Sequence, residues 1–238
     1  MPKVLYALPL LSLFASPLLA DDIDALGSLS QAQFRALSED LGAALSYKAL
    51  SPAEPLGVTG IDVGMEVSAT DIENTAAFDA ACGGCGTETL VIPKLHLHKG
   101  LPASFDIGLV LGSVPGSNVK LSGVELRYAL IDGGMALPAV ALRASYSELS
   151  GVDELSMNSS GMELTVSKGL TMVTPYAGIG RHWINSNPAG STGLADEEFT
   201  QDKLFAGANL NLGLMNLAFE VDRSGDSESY SAKLGFRF

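Results

Sequence analysis

From Gly57 to the end of the chain, apolar and polar residues take turns one by one, in about ten segments separated by glycine-bearing breaks. Such alternation puts one set of side chains on each face of a β-strand, whereas a helix would need apolar residues three or four apart. In Gly57 to Ala69 the odd positions are Thr59, Ile61, Val63, Met65 and Val67, and the even ones include Gly60, Asp62, Gly64, Glu66 and Ser68. In Glu228 to Phe238 the even positions Tyr230, Ala232, Leu234, Phe236 and Phe238 oppose Ser229, Ser231, Lys233, Gly235 and Arg237. One face of every strand must therefore meet an apolar medium and the other a polar one.

The segments between behave alike. Val91, Leu95 and Leu97 oppose Lys94, His96 and His98, although Pro93 weakens this strand because it lacks an N–H for the ladder. Phe105, Ile107, Leu109 and Leu111 oppose Asp106 and Gly108. From Asn118 to Ile131 the apolar phase changes, odd at Val119 and Leu121 but even from Val124, and a bulge near Ser122-Gly123 would reconcile the two. The strands have the length that a tilted membrane crossing requires. A soluble sandwich or lipocalin-like barrel is the competing architecture, with its apolar face turned inward. The chain's last strand, with Phe at the last and third-last positions, resembles the C-terminal signal of bacterial outer-membrane β-barrels. That resemblance implies a transmembrane antiparallel up-and-down barrel of about ten strands, in contact with outer-membrane lipids. It also implies that Tyr230, Leu234, Phe236 and Phe238 are read by the barrel-assembly machinery.

Connections between the segments alternate in length. Lys99 to Pro102, Asp132 to Ala136, Gly169 and Gly213-Leu214 are tight, while Thr70 to Glu88 and Ser186 to Phe199 are long and fall on the opposite side. Short periplasmic turns and longer external loops are expected of a barrel with an even strand count. At the other end of the chain, Lys3, an apolar run from Val4 to Leu19 and the small residue Ala20 form a secretory signal, residues 1–20. Residues 21–56 hold one amphipathic helix, with a capping box offered by Ser30 and Gln33 and an apolar stripe of Phe34, Leu37, Leu41 and Leu45. Ser51-Pro-Ala-Glu-Pro55 stops it. Packing at the periplasmic rim is the favoured place for this helix, and a plug inside the lumen is the alternative. Residues 57–238 make the barrel.

The formal net charge of −13 argues against nucleic acid as a partner, since that needs a clustered basic surface. The inward face should carry Asp62, Glu66, Lys94, His96, His98, Asp106, Arg127, Arg143, Glu163, Lys168, Lys203, Glu220, Asp222, Lys233 and Arg237. These residues either neutralise one another across a filled lumen or line a path for a small-molecule solute. A mostly filled lumen is favoured, because ten strands enclose little more than side chains can occupy. Cys82 and Cys85, both in the first long loop of an exported chain, read as a local disulfide. Zinc held with His96 and His98 is the weaker alternative, and no cofactor is expected. The sequence has no Gly-x-Ser-x-Gly and no His-Glu-x-x-His, so no catalytic residue is assigned. His182 beside Asp196 or Asp202 is the one pairing that a surface hydrolase could use. The favoured function is a small passive channel or transporter for a solute or lipid-like molecule. A non-conducting structural or surface-interaction barrel is the alternative.

Overall fold

Alternation over ten segments closes into one barrel. The computed structural model describes residues 22–238, so the signal segment 1–20 lies outside the described residues. Strands β1 (Ile61–Asp71), β2 (Thr89–Gly100), β3 (Phe105–Ser113), β4 (Lys120–Ile131) and β5 (Ala139–Ser150) are followed by β6 (Leu155–Ser167), β7 (Val173–Pro188), β8 (Glu197–Leu212), β9 (Met215–Ser224) and β10 (Ser227–Arg237). Each pairs antiparallel with its sequence neighbours, and β1 closes on β10 through register pairs such as Met65 with Leu234 and Val63 with Phe236. Closure removes every open sheet edge, which a strand structure in lipid requires.

The outward face is the apolar one. Met65, Leu204 and Phe219 are 67%, 63% and 53% exposed, and Leu95, Leu126, Leu164 and Leu234 also face out. Opposite them, Asp62, Glu66, Arg127, Glu163 and Lys233 are buried inside. A soluble barrel would reverse this arrangement. The chain is thus a transmembrane β-barrel of outer-membrane type, with lipid against its outer wall. No helix among the described residues is long and apolar enough to cross a membrane. Pro93 fits because it pairs with Val67 of β1, while the β2–β3 ladder begins only at Lys94.

Two details depart from expectation. The β4–β5 ladder runs unbroken through Leu121–Leu149, Ser122–Glu148 and Gly123–Ser147, and its one register shift lies between Ala129 and Ile131. There is no bulge at Ser122-Gly123, because Val119 and Leu121 do not face lipid. They are buried inside the barrel. The second departure concerns helix α1 (Gln31–Leu45), which sits in the barrel mouth at the end opposite Ile61 and Arg237. The periplasmic-rim position favoured above is therefore corrected to the plug alternative. The physical reason is the inner wall itself: the far end gathers the large apolar residues that can receive Phe34, Leu37, Leu41 and Leu45. There Leu90, Ile92, Val110, Val119, Leu121, Leu149, Met157 and Ile184 form one buried cluster with the helix stripe.

Candidate functional site

The interior divides into an apolar far third and a polar remainder, and the N-terminal segment is matched to both. Ser30 caps α1 by accepting from Gln33 N, with Gln33 reaching back to Ser30 N at 3.0 Å. At Gly42 the helix lies close against the wall, since a Cβ there would lie 2.8 Å from Ile184 Cδ1. Ser38 Oγ touches Ser186 Oγ of β7 at 2.8 Å. Asp40 accepts from Glu73 N, Asn74 N and Ser227 Oγ at 3.2, 2.9 and 3.0 Å, tying the helix to the first long loop and the β9–β10 turn. Burial raises the Asp40 pKa above its ordinary value of 3.8, against the lowering effect of those donors.

The first long loop folds over the helix. It contains α2 (Thr75–Ala81), whose Phe78 and Ala81 join the same apolar cluster, and Cys82 is disulfide-bonded to Cys85 just beyond. With both sulfurs bonded to each other, neither is a thiolate ligand. His96 and His98 lie in the lumen and serve other partners.

After α1 the chain becomes extended and threads the lumen toward the near end. The wall grips its backbone with long polar side chains: Lys203 Nζ donates to Tyr47 O at 2.8 Å, and Arg127 donates to Ser51 Oγ at 2.9 Å and to Pro52 O at 2.5 Å. Ala53 N donates to Ser167 Oγ and Leu56 N to Asp106 Oδ1, each at 3.0 Å. Lys48 is the one charged side chain that this segment buries in the wall, 2.6 Å from Asp222 Oδ1. Leu50, fully buried, adopts φ 45°, a left-handed conformation costly for a residue with a Cβ. Residues 46–56 therefore occupy the polar lumen as α1 occupies its mouth.

The charged inward residues meet in chains of ion pairs. Asp62 takes Lys233 and Arg237, Asp106 takes Arg127 at 2.8 Å, and Glu66 takes Lys94 at 3.1 Å together with His96. Arg143 bridges Glu125 at 2.8 Å and Glu163 at 2.5 Å, and Glu163 also takes Lys203 at 2.9 Å. His98 lies 3.3 Å from Glu125, and Glu220 accepts from Tyr176 Oη at 3.0 Å. The lumen acids Asp62, Glu66, Asp106, Glu125, Glu163, Glu220 and Asp222 are equalled in number by Lys48, Lys94, Arg127, Arg143, Lys203, Lys233 and Arg237. All of these except Glu220, which takes the Tyr176 hydroxyl, contact a charge of opposite sign, as burial of charge demands. At the near rim Glu54 and Asp132 offset Lys99 and Lys168, so the chain's acid surplus lies at the far end.

Lys168 departs from its expected inward place, and the pairing that a surface hydrolase could use is not formed. Lys168 caps the Gly134, Met135 and Leu137 carbonyls at the near rim and does not line the lumen. His182 turns inward to Glu163 and Ser159, each at 3.4 Å, whereas Asp202 faces outward to Arg181 at 2.7 Å. The rim pairing of His182 with Asp202 is therefore not formed, because positions 182 and 202 project to opposite faces of the wall. Glu125 and Lys48 join the network without having been singled out. Glu125 shares the odd phase of Arg127 and was readable from that. Lys48, off the apolar stripe of a helix, gave no sign of its partner.

No family model matches the chain, and no curated protein matches it in sequence. Solved barrels resemble it in outline. The COG4313 outer membrane channel from Pseudomonas putida F1 is 12% identical with a TM-score of 0.48, covering 81% of this chain and 98% of that one. The β domain of the Bordetella autotransporter BrkA is 12% identical at 0.43, covering 76% and 100%. The KdgM porin is 10% identical at 0.37, covering 76% and 99%. These likenesses extend to barrel outline and no further.

Proposed function

We propose that this outer-membrane β-barrel is a plugged channel for a small solute, closed in the arrangement described. Its N-terminal segment is the movable part, and its role is passage without catalysis. The carrying observation is the division of labour along that segment. Residues 46–56 are held in the lumen mainly by reversible polar contacts from Lys203, Arg127, Ser167 and Asp106, with Tyr47, Ala49 and Ala53 adding smaller apolar contacts. A static filler would more economically be replaced by large inward side chains. The long loop and α2 place their cover at the far end, which short periplasmic turns make the external one. Delivery of the finished barrel to its membrane would use the assembly machinery that reads the terminal aromatic strand.

A non-conducting structural barrel is the second reading, favoured by the mutual neutralisation of the wall charges. The two separate in planar-bilayer recordings of refolded protein with and without Ser28 to Lys48. The channel reading expects stepwise current that appears or grows on deletion. Silence of both, from protein shown to be folded, supports the structural barrel instead.

A further inference from the structure

Lys48 is more than a latch. Its Nζ lies 2.6 and 3.0 Å from the two Asp222 oxygens and 3.1 Å from Ser229 Oγ, both on the wall. The remaining contacts, to Ser46 Oγ at 3.3 Å and Ala43 O at 3.4 Å, come from its own segment. Ser229 Oγ is in turn 3.0 Å from Thr70 Oγ1, so the wall hydroxyl is held in place by the wall. An ammonium has three donors and no acceptor, and every group around it here, the Asp222 carboxylate, the Ser229 and Ser46 hydroxyls and the Ala43 carbonyl, can accept from it.

The ion-pair chains make the corner unusual. Asp62, Glu66, Asp106, Glu125 and Glu163 each contact a wall cation, but among the described residues the one cation that Asp222 contacts is Lys48. Glu220, two residues away on the same face of β9, has no ion-pair contact among the described residues and takes a hydroxyl donor from Tyr176. The cross-strand neighbour of Glu220 is Ser231, and Ser224 follows Asp222 on the same face. Both serines are buried, and their hydroxyl oxygens have no partner. Withdrawal of the N-terminal segment would leave two carboxylates and three hydroxyls facing the vacated space. The acid surplus at the far mouth raises the local concentration of cations on the way in.

We propose that the Asp222–Ser229 corner is a binding site for a primary ammonium group, which Lys48 fills in the closed state and a cationic amine fills in the open one. The assignment rests on the plugged-channel reading and narrows its solute to organic cations carrying –NH3+. A quaternary ammonium lacks the donors that the corner is built to receive, and an alcohol lacks the charge.

The site is tested in the full chain, independently of conduction, by chemical rescue of Lys48→Ala. The variant should melt below the wild type, and n-butylammonium should raise its midpoint saturably. Neither 1-butanol nor tetramethylammonium should do so, and the Lys48→Ala/Asp222→Asn double variant should not respond to the amine. If Lys48→Ala does not refold unaided, the same comparison is read as the refolded fraction with and without amine. An effect equal for amine and alcohol, or one surviving in the double variant, overturns the proposal. So does a Lys48→Ala variant that shows no amine response. A second readout is the reversal potential of any conducting form across a KCl gradient, where cation preference should fall in Asp222→Asn. Preference for anions, or indifference to that substitution, also counts against the site. Amine rescue without any current would sink the channel reading and leave the site standing.

Discussion

Arg127 on β4 and Asp106 on β3 form a 2.8 Å ion pair whose guanidinium also donates to Ser51 Oγ and Pro52 O of the threaded segment. One wall side chain thus neutralises a wall acid and holds the plug. Replacing Arg127 by Met removes both functions and leaves Asp106 buried without its cation, at a cost of about 3–5 kcal/mol. Chemical denaturation in micelles should show that loss. Accessibility of a cysteine placed at Ser51 should rise at the same time, because the near end of the plug is released.

The apolar far third makes a sharp contrast between two leucines on one strand. Leu121 is buried against the plug cluster and Leu126 faces lipid. Leu121→Ala should destabilise by about 2–5 kcal/mol, the usual cost of a large-to-small change in a packed interior. Leu126→Ala should cost clearly less, since lipid chains can fill the space. Equal losses would mean that Leu121 also faces the membrane.

Asp40 gives the plug a pH signature. Its folded-state pKa is raised above 3.8 by burial, so the protonated form is favoured on folding. Its contribution to stability is therefore fullest below 3.8 and is lost as pH rises through the raised folded value. The stability difference between the wild type and Asp40→Asn should shift toward the wild type on acidification through that window. Melting curves of the pair from neutral pH down to about 3 check the sign.

The Cys82–Cys85 bond closes a very short loop, with a sequence separation of 3. Chain-entropy reasoning assigns it about 2 kcal/mol at most. Replacing both cysteines by serine should loosen the end of α2 and lower the midpoint modestly, while the heat-resistant barrel band on cold gels persists. Collapse of the barrel would contradict a role confined to the loop.

Most of the wall was legible because alternation has only two phases, and lipid accepts only one of them. Met65, Leu95 and Phe219 could go nowhere but out, and Glu66, Lys94 and Glu220 nowhere but in. What alternation does not encode is height along the strand. Val119 and Leu121 looked like lipid-facing residues in the wrong phase because their true partner, α1, is more than seventy residues earlier in the chain. The same gap hid the helix's location: an apolar stripe says that a helix is covered, not by which rim. Lys48 was illegible for a related reason, as its acid lies 174 residues away on β9.

The central claim, that the N-terminal segment must leave its seat for the barrel to conduct, is tested most directly by locking it there. Ser38 on α1 and Ser186 on β7 touch through their hydroxyls at 2.8 Å, so paired cysteines at these positions can bond across the gap. Single-channel current should be absent from the oxidised Ser38→Cys/Ser186→Cys protein and should appear stepwise on reduction, with the Cys82→Ser/Cys85→Ser background removing the native bond as a variable. Current of equal size before and after reduction would contradict the account, because solute would then be passing a plug that has not moved.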